Sequence, residues 1–393
     1  MQARIPAVYM RGGTSKAVFF HARHLPEDPD VRDRVILAAY GSPDPYGRQI
    51  DGMGGATSVT SKVAIISPAN HPGHDVDYLF GQVSIDKPLV QYKGNCGNIS
   101  SAVGPFAIDE GLVPPVEPVT CVRIYQANTG KSIIAEVPVK DGQHDEEGEY
   151  EIDGVPGSGG RIKLRFIEPE GSVKRGLLPT GRSRETVEVS GIGQIQVSLV
   201  DASNPVVFVR AKDLGIKGTE IEEMDANQEL KRMLEDIRAQ SAVMLGLASS
   251  VKEAGEFSQN LPKVAVVSEP KDYRTLSGKA IRKEHIHFLA RIMSMGTLHK
   301  AYAVTGAICT AGASRIEGTV VHEVMEKTAV EEREIRIGHP SGIISVEVRM
   351  EKEGDFYRYE EAVLYRTARR LMAGQLYVPE KLFREEPRRS GPR

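Results

Sequence analysis

The sequence predicts an α/β protein built from two similar domains. Three observations point there. The first is length: 393 residues exceed what one hydrophobic core usually organises, because chains divide into units of roughly 150 residues. The second is pattern. β-Branched and aromatic runs bounded by Gly, Pro or Asn dominate the first half, and helical spacing of apolar residues becomes common in the second. The third is an internal echo. Ser61-Lys62-Val63-Ala64-Ile65-Ile66-Ser67-Pro68 resembles Pro262-Lys263-Val264-Ala265-Val266-Val267-Ser268, a shift of 201 residues. The same shift carries Val103 onto Val304, each inside a run of small residues that reads as a helix. One offset near half the chain length indicates duplication. Two such copies leave a cleft between them, where ligand sites tend to lie. The division is expected at 1–185 and 186–393, with the last residues crossing back or disordered.

Taken in order, residues 6–20 form two strands around a Gly12-Gly13 turn. A short helix is expected at 31–40. Further strands are expected at 61–66, 119–125, 132–137, 162–167 and 186–189. The acidic stretch 142–150 reads as a solvated loop. Residues 198–210 read as a turn at Asn204-Pro205 running into a strand. Leu230, Met233, Leu234, Ile237 and Met244 recur at helical spacing and predict a helix over 227–245. Helices are also expected at 283–293 and 298–313. Residues 384–393 are polar and Pro-rich and are expected to fray.

Composition excludes several classes of function. Lys plus Arg is 50 and Asp plus Glu 53, a net charge of −3, and no Lys/Arg block stands out, so no nucleic acid partner is expected. The longest aliphatic runs, Val63-Ala64-Ile65-Ile66 and Val264-Ala265-Val266-Val267, are far shorter than the ~20 residues that span a bilayer. No membrane association is expected. The first residues lack an apolar stretch of the secretory kind. Cys96, Cys121 and Cys309 are too few and scattered for a disulfide framework or a Cys-only zinc site. A cytoplasmic protein with reduced thiols follows. His71 and His74 share a Pro-Gly turn, and His285 and His287 lie two apart; neither pair has metal-site spacing, so no metal is expected.

Three constellations could carry chemistry. Asp51-Gly52-Met53-Gly54-Gly55-Ala56-Thr57-Ser58-Val59-Thr60-Ser61-Lys62 is a Gly-rich polar stretch running into a strand. Such a stretch lets backbone N–H groups approach a carboxylate, though it also describes a plain turn before a strand with a surface lysine. In Lys93-Gly94-Asn95-Cys96-Gly97-Asn98, Asn95 is a candidate N-cap that puts Cys96 in the first helical turn. There the helix dipole favours a thiolate and bound anions. Cys121 and Cys309 read as core. Met10-Arg11-Gly12-Gly13-Thr14-Ser15-Lys16 gathers hydroxyls, cations and backbone donors, which suits a carboxylate or phosphate or, equally, a charged hairpin. Tyr125-Gln126-Ala127-Asn128-Thr129-Gly130-Lys131-Ser132 ends like a phosphate-binding loop. It lacks the first Gly and is followed by a strand, so it reads as a hairpin turn that could offer Asn128 and Thr129 to the cleft.

The three constellations, together with Leu177-Leu178-Pro179-Thr180-Gly181, residues 201–209 and Ile337-Gly338-His339-Pro340-Ser341-Gly342, resemble the PrpF family. The matches are collinear over nearly the whole chain. The resemblance implies a fold like that of diaminopimelate epimerase, with two domains each wrapping a curved mixed sheet around a central helix. It implies a cofactor-independent isomerase of small unsaturated di- and tricarboxylic acids of the 2-methylaconitate, oxalomesaconate or methylitaconate type. Lys62 and Cys96 match the family's acid–base residues. Diaminopimelate epimerase uses a second cysteine, whereas here a shift of 201 from Cys96 lands on Thr297. Proton shuttling along an allylic system is therefore expected rather than two-thiol racemisation.

Substrate carboxylates are assigned by motif to Ser15, Lys16, Thr57 and Ser58, with backbone donors at Gly54, Gly55 and Gly97 and with Asn98 beside them. Arg274, His299, Lys300 and Ser341 are nominated from the second half, His299 and Lys300 as first-turn residues of the second central helix. A small-molecule carboxylate is the expected partner, and a homo-oligomer stays open. An amino-acid epimerase or racemase and a non-catalytic binder of small acids are the alternatives.

Overall fold

The computed structural model describes residues 1–384 except 175, 328, 330, 331 and 355. Apart from Arg384, the expected fraying at 384–393 lies outside the described residues.

Sixteen of the strands join into one ladder. From Ala368–Pro379 the pairing runs to Gln2–Gly12, Ser15–His21, Lys62–Pro68, Val76–Val83, Val119–Gln126, Lys131–Lys140 and Ile162–Ile167. Ile162–Ile167 then pairs with Phe356–Arg366. The ladder continues through Gly342–Glu353, Glu334–His339, Phe288–Ser294, Lys263–Ser268, Asn204–Arg210, Gly193–Ala202 and Glu185–Val189. Outward from the 162–167/356–366 junction, both arms show the same succession of senses. Two antiparallel pairs are followed by parallel, antiparallel and parallel pairs, then two more antiparallel pairs. The internal echo is thus a duplication of topology. Lys62 and Lys263 open equivalent strands.

Each arm holds one buried helix at the same point in its strand order, Gly97–Asp109 and Val304–Ser314. Residues 97–108 and all of 304–314 are buried. A helix apolar on every side must be enclosed, and both belong to the main hydrophobic core. Small side chains allow the close approach of the sheet. The two helices meet tip to tip, and a Cβ on Gly97 would sit 2.5 Å from Val304 Cγ1. Two further helices cover the outer faces. Pro29–Tyr40 is capped by Asp28. Gln228–Met244 is capped by Asn227 and buries Leu230, Met233, Leu234 and Ile237 against Val187, Val197 and Val264.

Three sequence expectations change. The helix expected at 283–293 is a 3-10 turn, Lys283–His285, followed by the strand Phe288–Ser294. A continuous apolar run does not separate a buried strand from a helix. The second central helix starts at Val304, not 298. Thr297–Leu298 instead pairs back onto Phe288–Ser294, and Asp225 accepts from Leu298 N at 2.8 Å. Cys121 is exposed rather than core, because strand alternation turns Thr120, Val122 and Ile124 inward. Cys309 is buried, its thiol donating to Val200 O at 3.2 Å.

Candidate active site

The site lies where the two helix tips meet. Cys96 is the N-cap residue of Gly97–Asp109, so the cap falls one position later than expected, and its side chain makes no capping bond. Asn95 therefore does not cap. Its backbone is gripped from the other arm: Asn204 accepts from Asn95 N at 2.8 Å and donates to Asn95 O at 2.8 Å and to Thr305 Oγ1 at 2.9 Å. The segment carrying Cys96 is thus tied to both arms.

Lys62 is the first residue of its strand and is 7 % exposed. Its Nζ donates to Gln82 Oε1 at 2.7 Å, and Gln82 Nε2 donates to Ser58 O and Ser61 O at 3.2 and 3.0 Å. Those two carbonyls orient the amide so that its oxygen meets the lysine. Burial holds the Lys62 amine below the usual lysine range, while nearby Cys96 acts the other way. The amine, from a strand start, and the thiol, from a helix tip, line the same cavity.

Lys263 faces the same space and is 8 % exposed. Its pKa is lowered to about 8, by burial first and the Lys62 charge second. His299, 7 % exposed, accepts from Ala301 N at Nδ1, 3.1 Å. Burial, then Lys62 and Lys263, push it down to about 3. It is neutral at ordinary pH, with its proton on Nε2, free to act as a donor.

These side chains line an inner cavity of about 20 Å³ with Ser15, Gln82, Asn95, Cys96, Gly97, Asn98, Asn260, Ser294 and Thr305. No Asp or Glu lines it among the described residues. Ser15 Oγ and Thr14 Oγ1 are buried without a hydrogen-bond partner. Gln82, Val59 and His299 also border an outer cleft of about 990 Å³ lined by Thr57, Ser58, Lys300 and Ser341. Cationic and neutral polar groups inside, without a carboxylate, make a site electrostatically suited to a small anion.

The geometry brings together Lys62, Cys96, Ser15, Gly97, Asn98 and His299 in the inner cavity, and Thr57, Ser58, Lys300 and Ser341 in the outer cleft. Lys300 pairs with Asp225 at 2.5 Å, and Ser341 Oγ donates to Lys300 O at 2.5 Å. His299 and Lys300 precede the second central helix rather than belonging to its first turn. Four nominated residues lie elsewhere. Lys16 is one residue from Ser15 in a strand, so it faces the opposite side, over the Tyr9 ring at 5.5 Å. Gly54 packs on the Gln49 side chain and Gly55 on Thr60. Arg274 is exposed on its own hairpin and donates to Gly278 O at 3.0 Å. Asn128 does not reach the cleft either. It donates to Phe80 O and Tyr92 O at 2.8 and 2.6 Å, bracing the strand that carries Gln82.

Lys263, Gln82, Asn204, Asn260, Ser294 and Thr305 were not among the nominated residues. The internal echo already aligns Lys263 with Lys62; nothing local marks the others. Among the described residues no three His, Cys, Asp or Glu side chains converge as metal ligands. No helix of those residues is long and apolar enough to cross a membrane.

The fold and site define a class: mixed α/β proteins of the diaminopimelate epimerase type, with two like halves around paired helix tips. A hydroxyproline epimerase from Agrobacterium vitis shares the fold at a TM-score of 0.55 and 14% identity, over 95% of this chain and 91% of that one. A family model, PrpF protein, matches residues 2–379, and the chain belongs to the PrpF family. It is 48% identical over 379 residues to a 3-methylitaconate isomerase of Eubacterium barkeri, covering 96% of this chain and 98% of that one. It is 43% identical over 394 residues to a 2-methyl-aconitate isomerase of Shewanella oneidensis, covering 96% and 98%. The crystal structure of a methylitaconate-delta-isomerase superposes with a TM-score of 0.78 at 45% identity, over 100% of both chains.

Proposed function

We propose that this protein is a cofactor-independent isomerase of small unsaturated carboxylic acids, with Lys62 and Cys96 as its acid–base pair. One observation carries the reading: a buried lysine amine and a helix-tip thiol line one cavity whose described lining holds no carboxylate. A methylitaconate- or 2-methylaconitate-like acid presents a C–H that is allylic and activated by a carboxylate. Lys62, neutral part of the time because it is desolvated, removes that proton. The C–H electron pair spreads over the allyl system onto the carboxylate as a dienolate. First-turn N–H groups of a helix lack intrahelical partners and favour developing negative charge. The Cys96 thiol, in the same cavity as the lysine, returns a proton at the other end of the allyl system, and the double bond moves. Rotation before that return gives the cis–trans outcome instead.

Ser15, Asn98 and His299 stand ready for one carboxylate; Thr57, Ser58, Lys300 and Ser341 border the route for another. The topological counterpart of Cys96 is Ala303, the N-cap residue of the second helix, so two-thiol racemisation has no second thiol. We further propose two domains divided near 185/186, with Ala368–Pro379 added back to the first. A cytoplasmic setting fits three unpaired cysteines, and a homo-oligomer is compatible with the reading. The test is NMR of 3-methylitaconate and 2-methylaconitate in deuterated water. Deuterium uptake with a double-bond shift is expected from the wild type and not from Lys62→Ala. Wild-type rates in that variant would remove Lys62 as the base.

A further inference from the structure

The duplication brings a second lysine into the site for which the mechanism above has no use. Lys62 pairs in parallel register with Ala17, and Lys263 with Val206 at the equivalent place in the other arm. Both side chains turn into the inner cavity. Lys62 has a close partner in Gln82. Among the described residues Lys263 reaches only Asn260 Oδ1 at 3.3 Å and Ser294 Oγ at 3.4 Å, long for an ammonium, whose charge-assisted bonds run to about 2.7–2.9 Å. Facing it are Lys62, Cys96 and the neutral His299, with Tyr78 behind Cys96. On its far side, Glu235 and Arg238 of Gln228–Met244 pair with each other at 2.5 Å. A buried cation without a counter-ion burdens the fold. Its position makes sense once an anion enters.

We propose that Lys263 is a catalytic residue whose ammonium receives the substrate carboxylate onto which the dienolate charge spreads. The proposal rests on the isomerase reading above. In the step, an N–H bond forms at Lys62 as the substrate C–H breaks, and the electron pair moves into the dienolate. Negative charge grows on the carboxylate oxygen beside Lys263 Nζ. A C–H bond then forms at the far allyl carbon with the Cys96 proton, and the Lys62 proton passes to the thiolate. Lys263 ends as it began, and no co-reactant is consumed. The two amines also repel each other, as the lowering of Lys263 by Lys62 shows, so a charge on Lys263 in turn disfavours protonation of Lys62.

The test compares the wild type with Lys263→Met and, should the methionine disturb packing, Lys263→Gln. Both are assayed with 3-methylitaconate and 2-methylaconitate, following isomerisation and deuterium uptake from about pH 6 to pH 10. The methionine variant is expected to lose about 10²–10³-fold in kcat/KM, the usual effect of removing a charge-stabilising donor. The acid limb of its pH profile is expected to move to higher pH, because Lys62 then holds its proton more tightly. Its melting temperature is expected to hold or rise as the uncompensated cation is removed. A purely structural lysine predicts the reverse: a lower melting temperature and an unmoved limb. Activity within about threefold of the wild type with an unmoved limb overturns the assignment of Lys263 alone. A wild type that exchanges no deuterium into either acid overturns the isomerase reading, and this inference with it.

Discussion

Asn204 offers the most direct test of how the two arms hold the thiol in place. It is 1 % exposed and makes three hydrogen bonds of 2.8 to 2.9 Å, two to the Asn95 backbone and one to Thr305. At roughly 1 kcal/mol for each bond, Asn204→Ala should cost about 3 kcal/mol. The stranded N–H and C=O of Asn95 and the small cavity left behind raise the expected loss to about 4–5 kcal/mol. Thr305→Val removes one bond and should cost about 1 kcal/mol. Because Asn95 precedes Cys96, the alanine variant should also lower kcat about tenfold, the scale of a displaced catalytic group. Urea unfolding with a parallel isomerase assay reads both effects. An Asn204→Ala protein within about 1 kcal/mol of the wild type, with unchanged kcat, would show that the cross-arm clamp does not position the thiol.

Other outcomes follow from the same geometry. Gly97→Ala puts a Cβ 2.5 Å from Val304 Cγ1 and should destabilise by about 1–3 kcal/mol; adding Val304→Ala should restore most of the loss, as thermal melts of the single and double variants would show. Gln82→Leu removes the partner that orients Lys62 and should lower kcat about tenfold with little change in KM, a split that steady-state kinetics resolves. His299 has a folded pKa of about 3, below its ordinary value of 6.5, so the unfolded chain binds its proton first. Its stabilising contribution is complete above about pH 6.5 and is lost as pH falls toward 3, by up to roughly 4–5 kcal/mol. His299→Asn should flatten that acid limb in denaturation curves taken across pH.

How much of this was legible beforehand depended on the range of the signal. Lys62 and Cys96 stand in contiguous motifs with recognisable chemistry, and their meeting follows from the fold those motifs imply. Duplication was visible in a seven-residue echo, because a buried strand and its leading lysine survive as a string. Gln82 and Asn204 were not visible, since their roles depend on which strands are neighbours, and no local pattern states that. Lys16 and Cys121 were misjudged for a simpler reason. Adjacent residues of a strand face opposite ways, so Ser15 and Lys16 could not both enter the cavity, and Cys121 could not share the inward face of Val122. His299 was drawn into a helix because the small, apolar residues after it run on without a breaker. The capture of Leu298 N by Asp225, 73 positions away, keeps that segment out of the helix.

Ala368–Pro379 closes against Gln2–Gly12 along its full length. During synthesis the strand Gln2–Gly12 therefore waits for a partner made more than 350 residues later. Until then it presents a bare row of backbone donors and acceptors on one side, the kind of surface that recruits foreign strands. Once it pairs, the edge of the sheet falls on Ala368–Pro379 itself, whose Arg369, Arg370 and closing Pro379 are the residues that discourage further strand pairing.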